Sequence, residues 1–443
     1  MEKMNEAVLQ QDANAQSVST DEYYMNEDAE KELPIGRIFR LFASSVVSDK
    51  NIVLTKTQLN AIECISKCKT GELGYNAEYC PNCKKYIIHP RSCNNRSCPN
   101  CQSVDERRWV ELRKAEVIEG LPYYHVVVTV PSELYGIASL NRALFYGLLM
   151  KLSAETMTEL CRSKEYGAFT PGVVAVLHTW SSKMLFHPHV HMILSGGGLT
   201  SDGKFKEAPF KGDNKFFIPE SIVASLFRGK MIAALKEAYD NKNIHLNLPF
   251  SSECSLEDPR QWMNFCDKMY NMKWVSYVKE TFNGNGNAID YLGRYVYRTA
   301  ISNSRILSIL PPSKEYPEGQ VNFKYKDYAD GGKEKVETVT GKEFVLRFLN
   351  HVLPERFCRV RYSGILSNAC KQKNLRRIAQ IQKKEFLISV LKGKKKTEVV
   401  QFFFGNTGCS CPFCHGKLEH CGRMTRKTVS SMKRVYKEYK EAG

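Results

Sequence analysis

Residues 186–198 read FHPHVHMILSGGG, placing three of the chain's ten histidines within six positions. In an extended strand alternate side chains share a face. His187, His189 and His191 would then project one way, and Val190, Met192 and Leu194 the other. Pro188 cannot donate to a ladder, so His187 stands at the strand's start and His189 and His191 are the pair best held in a sheet. Two imidazoles are an incomplete set for a divalent cation, and a third ligand is expected from a neighbouring strand. VVAVLHTW (173–180) is that neighbour if 172–180 and 189–196 form a hairpin. His178 is then the third-ligand candidate, with a hydrogen-bonded core histidine as the competing reading. The three glycines read as a turn leading the chain away behind the site.

A second chemically loaded stretch is NAIDYLGRYVYRTAISNSRI (287–306). Tyr291 and Tyr295 are four residues apart, so on a helix their hydroxyls share a face. A phenol oxygen is a competent nucleophile toward a phosphodiester when a metal polarises the phosphoryl oxygen. Arg294, Arg298, Asn303 and Arg305 give this helix and its exit a phosphate-binding character.

Cysteines supply the third motif. Two identical C-P-N-C pairs, Cys80/Cys83 and Cys98/Cys101, are separated by fourteen residues. Each pair presents two thiolates, and together they are read as the tetrahedral cage of one structural Zn2+. Cys68, His89 and Cys93 remain in the same stretch for a second ion. The intervening loop offers Lys84, Lys85, Arg91 and Arg96 to phosphates. Cys409, Cys411, Cys414 and Cys421, with His415 and His420, are candidates for a further metal. The expected count is therefore one, two or three zinc ions.

Around these motifs the chain has 443 residues, a formal charge of +17 and a pI near 9.1. That charge favours a polyanionic partner, most simply nucleic acid. No apolar run of spanning length or signal-peptide core appears, so no membrane partner is expected, the compartment is read as cytoplasmic, and the sixteen cysteines as reduced. Residues 1–34 read as a disordered acidic arm, 35–120 as a helical and zinc-binding DNA-recognition domain, and 121–306 as a catalytic domain with an insertion near 199–260. A basic accessory region (307–400) and a cysteine-containing basic tail (401–443) follow. Strand-like stretches at 124–131, 172–180 and 189–196, with helices at 140–163 and from Pro219, imply an α+β sheet domain. Residues 261–300 read as helical with a break at 283–287, and Lys371–Lys396 as one basic helix.

The sequence resembles the insertion-sequence-91 family of transposases, HUH enzymes with two tyrosines. The resemblance rests on CKTGELG (68–74), SCNNRSCPNC (92–101), HVVVTVP (125–131), LHTWSSKMLFHPHVHMILSGGGLTSDG (177–203), YLGRYVYRTAISNSRI (291–306) and FLNHVLPERFCRVRYSGIL (348–366), in order across about residues 55–370. It implies an antiparallel HUH sheet with packed helices, a ferredoxin- or RRM-like nuclease core. It puts the catalytic tyrosines on Tyr291 and Tyr295, and the ligands of Mg2+ or Mn2+ on His189 and His191. It further implies cleavage and joining of single-stranded or extruded DNA through a 5′-phosphotyrosine, without ATP, in rolling-circle transposition, with association with the nucleoid. Trp180 is available to stack bases. Many members carry Gln where this chain has Ser182, which leaves the third ligand open. The rival readings are a replication initiator or relaxase with the same chemistry, and a non-catalytic zinc-dependent DNA-binding regulator. The oligomeric state is left open between monomer and dimer.

Overall fold

The computed structural model describes residues 23–25, 33–209, 218–247, 255–281, 287–405 and 410–429, with backbone alone at 23–25, 279–281, 287, 288, 291, 292 and 294. The acidic arm thus lies outside the described residues except for 23–25 and its last two positions. In chain order the strands are β1 (Tyr23–Met25), β2 (Tyr75–Cys80), β3 (Lys85–Pro90), β4 (Tyr123–Thr129), β5 (Thr170–Trp180), β6 (Phe186–Leu199), β7 (Phe205–Glu207), β8 (Ser276–Thr281), β9 (Ile306–Leu310), β10 (Gln320–Asp327), β11 (Lys333–Thr340), β12 (Val360–Gly364) and β13 (Glu419–Met424).

The chain divides into two compact units. One comprises residues 1–41, 62–101 and 394–443, and the other residues 42–61 and 102–393. The C-terminal cysteine segment, read from sequence as a tail, therefore belongs to the same unit as the N-terminal cysteines. That unit carries a sheet of order β1-β3-β2-β13, in which β2 and β3 form a hairpin and β13 runs antiparallel to β2. Tyr75, Ile88 and Val429, with Met424 against them, form one buried apolar cluster there, and Ile38, Phe39, Ile65, Ala77 and Ile87 are buried as well.

The larger unit holds the histidine strand. Its main sheet has the order β12-β5-β6-β4-β8, with β7 on β6, and every pairing is antiparallel. Helices cover both faces, so the fold is α+β with an antiparallel sheet, as expected. The period-2 pattern of β6 sorts its residues: Val190, Met192 and Leu194 join the core built on helices Arg142–Arg162 and Glu220–Asp240. Phe145, Leu149, Met150 and Met157 of the first helix are fully buried there. Each such side chain contributes roughly 1.5–3 kcal/mol of transfer free energy. Ile193 lies on the other face with Val174, Val176, Trp109, Ile289 and Val296. A smaller antiparallel sheet, β11-β10-β9, completes this unit.

Three local expectations fail for physical reasons. Gly196, Gly197 and Gly198 do not turn the chain away: β6 runs straight through them. A Cβ on Gly198 would stand 1.9 Å from the Thr170 carbonyl oxygen, so glycine here permits close strand approach. Residues 276–281, read as helix, form the edge strand β8 against β4, with Val278 directed to the core and Tyr277 exposed. The basic helix stops at Ile381. Lys383 adopts a left-handed conformation (φ 55°) and the Lys384 N–H returns to the Ala379 carbonyl, a C-terminal cap that ends it.

Candidate active site

β5 and β6 form the anticipated hairpin, and its register sets His178 directly opposite His189. A register shift between His178 and Trp180 lies across from Pro188, where the ladder cannot be regular. One potential ligand atom from each of His178, His189 and His191 falls within 4.8 Å of the others, and all three side chains are buried.

The hydrogen bonds decide which ring nitrogens point inward. His178 Nε2 lies 2.7 Å from the Tyr295 carbonyl oxygen, and His189 Nδ1 lies 2.7 Å from the His187 carbonyl oxygen. Carbonyls only accept, so both nitrogens carry the proton, leaving lone pairs on His178 Nδ1 and His189 Nε2. His191 Nδ1 is 2.8 Å from His125 Nε2 and its Nε2 is 3.0 Å from His189 Nε2; in the tautomer in which His191 Nδ1 donates to His125, the His191 Nε2 lone pair faces that of His189. Two lone pairs aimed at one another in a buried space fit a shared cation. Desolvation by burial holds His178 and His191 well below the ordinary imidazole value and pushes His189 down to about 3. The neutral, metal-binding form is therefore the resting one.

The second layer is built from the sheet and the helix above it. His125, on β4, stacks parallel to His191 with ring centroids 5.1 Å apart. Sequence reading missed it, although its place in HVVVTVP, on the same strand face as Val127, was the available signal. His187 accepts or donates at Nδ1 with the Tyr135 hydroxyl at 2.5 Å, while its carbonyl holds His189. It orients the cluster rather than joining it.

The tyrosine helix spans Asn287–Val296 on the histidine face. Tyr295 sits in its last turn, where carbonyls lack intrahelical partners, and His178 supplies the missing donor. The Tyr295 ring lies 4.4 Å from that of His191 and 5.6 Å from that of His178. Gly293 lets this helix approach helix Ser103–Lys114: a Cβ there would meet Val110 Cγ2 at 2.2 Å. Lys114 and Asp290 pair at 3.0 Å across the same contact. Tyr291 and Arg294 are on this helix, but their side chains lie outside the described residues.

The remaining nucleic-acid candidates separate. Trp180 stacks on His178 at 4.5 Å, half-buried beside the cluster. Arg298 is exposed just past the tyrosine helix, and Asn303 is half-buried in the turn that follows. Arg305 is a correction: its guanidinium donates to the carbonyls of Lys324 (2.8 Å), Ala300 (3.4 Å) and Ser182, so it ties backbone together. Arg91 is half-buried and donates to the Leu73 carbonyl, while Arg96 is exposed in the loop before Cys98.

The cysteines regroup. Cys80, Cys83, Cys98 and Cys101 do not share one cage. Cys80 and Cys83 stand at the tip of the β2–β3 hairpin, whereas the chain reaches Cys93 and Cys98 from its base. A six-residue hairpin separates the two by roughly 17 Å at about 3.3 Å per residue. The cage at the base is Cys68, Cys93, Cys98 and Cys101; that at the tip is Cys80, Cys83, Cys411 and Cys414. His89 belongs to neither and faces the Glu78 carboxylate at 3.8 Å. Cys421 donates toward the Glu419 carbonyl and also stands apart, and Cys409 lies outside the described residues. In the base cage the sulfurs of Cys68 and Cys101 are 3.6 Å apart, and Cys93–Cys101 and Cys68–Cys98 are 3.7 Å apart. A tetrahedron with Zn–S bonds of about 2.3 Å has edges of about 3.8 Å, whereas a disulfide needs about 2.05 Å. The donor set fits zinc.

Comparison with known proteins now assigns the class. Residues 172–374 match the family described as "Putative transposase", and residues 38–130 match the "Transposase zinc-binding domain". A relative from Sinorhizobium fredii (strain NBRC 101917 / NGR234), named "Putative transposase y4qJ", is 36% identical over 341 residues, which cover 77% of this chain and 82% of the relative. The "Transposase for insertion sequence element IS801" of Pseudomonas savastanoi pv. phaseolicola is 25% identical over 316 residues, covering 69% and 70% of the two chains. No solved structure matches. The protein is a transposase, a DNA-acting nuclease and strand transferase. Within that class the chain belongs to the insertion-sequence-91 family, whose zinc-binding domain and the cysteine clusters support structural zinc. This sets aside the initiator, relaxase and regulator readings. No helix among the described residues is long and apolar enough to cross a membrane.

Proposed function

We propose that the chain nicks and rejoins single-stranded DNA at element ends by HUH chemistry, with Tyr291 and Tyr295 as nucleophiles and His178, His189 and His191 as the metal ligands. The observation carrying this reading is the convergence of three neutral, outward-anchored imidazoles beneath the Tyr295 ring. Mg2+ or Mn2+, when bound, supplies Lewis-acid polarisation of the scissile phosphate. His187, His125 and the Tyr295 carbonyl hold the three imidazoles in orientation. A tyrosine Oη attacks phosphorus; the P–O bond to the 3′ oxygen breaks, that oxygen leaves as a hydroxyl, and the 5′ end stays esterified to tyrosine. Rejoining reverses the displacement with another 3′-hydroxyl, so ATP is not needed. Two tyrosines on one helix allow a second cleavage while the first strand remains attached, the order that rolling-circle transposition requires. Trp180 offers a stacking surface to a base beside the cleaved bond, and Arg298 a charge to the backbone.

The test is incubation with Mn2+ and labelled single-stranded element ends, followed by denaturing electrophoresis. A covalent protein–DNA band that disappears in His189→Ala and in the Tyr291→Phe, Tyr295→Phe double variant is expected. An adduct that persists in the double variant would exclude both tyrosines.

A further inference from the structure

The hairpin-tip cluster is built by segments 80–83 and 411–414, and only the first of them falls inside the matched zinc-binding domain, which ends at residue 130. We infer that Cys80, Cys83, Cys411 and Cys414 form a second zinc site, so that the N-terminal metal module is completed by the C-terminal segment. The sulfurs of Cys80 and Cys414 are 3.5 Å apart and those of Cys83 and Cys411 are 3.8 Å apart. These are tetrahedral-edge separations for a four-thiolate ion and are far too long for disulfides.

Both halves carry the local geometry of metal-holding turns. On one side the Cys83 N–H points at Cys80 Sγ (3.4 Å). On the other the Gly416 N–H points at Cys414 Sγ (3.4 Å), while the Cys411 N–H bonds the Gly416 carbonyl and the His415 N–H bonds the Cys411 carbonyl. Such N–H groups stabilise thiolate over thiol, and thiolate is the ligating form. The two turns are held face to face by β13 pairing on β2, which ends at Cys80, and by the Lys85 ammonium 4.3 Å from the Phe413 ring. A four-thiolate ion is a usual cross-link between turns far apart in sequence, and here it would join segments 80–83 and 411–414. Four sulfur donors in tetrahedral spacing select zinc, or iron if the ion is redox-active. The site does not depend on the nucleolytic reading: its test measures metal and thiol reactivity, with no DNA present.

The experiment is differential alkylation of the full-length purified protein, mapped by mass spectrometry, beside elemental analysis for zinc and iron. Cys358, which is exposed, serves as the internal reference. Two zinc ions per chain are expected, falling to one in the Cys411→Ser, Cys414→Ser double variant. In wild type Cys414 should resist alkylation despite its exposure, and a chelator should release Cys80, Cys83, Cys411 and Cys414 together as one set. Labelling of Cys411 and Cys414 as fast as Cys358 in untreated protein, while Cys80 and Cys83 stay protected, would overturn the proposal. So would one zinc per chain in wild type, or iron in place of the second zinc. The alkylation arm needs no variant, so it remains decisive if the double substitution fails to fold.

Discussion

The histidine cluster and the cysteine clusters are both groups of side chains able to hold a metal ion, yet they stand in different relation to their folds. The histidines lie on two neighbouring strands of a sheet whose opposite face packs on long apolar helices, and each ring is fixed by a carbonyl or another ring. That site is organised by the fold. The cysteines instead lie in turns at the two ends of a hairpin and are drawn from segments far apart in sequence. There a bound ion would tie the segments together.

The strongest way to break this contrast is to remove a cage. In Cys68→Ser, Cys98→Ser protein, residues 62–101 and 394–429 should lose amide-exchange protection, because structural zinc binding of about 10–16 kcal/mol exceeds the stability of most small modules. Strands β4, β5 and β6 should keep theirs; collapse of both sets would show the histidine site to be no more self-supporting than the cages. A smaller effect is expected behind the histidines. His125→Phe removes the group that orients His191 and should weaken Mn2+ binding by about 10- to 100-fold in a calorimetric titration, with an unchanged circular dichroism spectrum. Unaltered affinity would remove His125 from the assembly. Smallest of all is the Lys114–Asp290 pair, half-exposed at 41% and 44%. Asp290→Asn should cost at most about 1 kcal/mol in denaturant unfolding; a larger loss would mean that the tyrosine helix depends on this ion pair.

The same contrast explains what was legible in the sequence. β5, β6 and the tyrosine helix announce themselves because period-2 and four-residue spacings are local, and local register then brings His178 to His189. The cages are invisible to such patterns. Identical C-P-N-C pairs suggest one tetrahedral site, but β2 and β3 hold them at opposite ends of a hairpin, and their sulfurs group instead with Cys68 and Cys93 at one end and with Cys411 and Cys414 at the other. β8 was missed because a short edge strand with one inward apolar residue, Val278, carries too few alternations to compete with the helical spacing before it. The glycines were misread because close approach of Thr170 to Gly198 is a tertiary fact that no local pattern carries.

The pairing of β13 with β2 also sets a schedule. During synthesis at about 5–20 residues per second, roughly 20 to 70 seconds separate the emergence of Cys80 from that of Met424, the last residue of β13. Through that interval β2 waits with one edge uncovered and two thiols without half of their companions. A message cut short before residue 411 therefore yields a product in which β2 and the Cys80–Cys83 turn stay unfinished. Completion of the sheet around β2 is conditional on the ribosome having passed Met424.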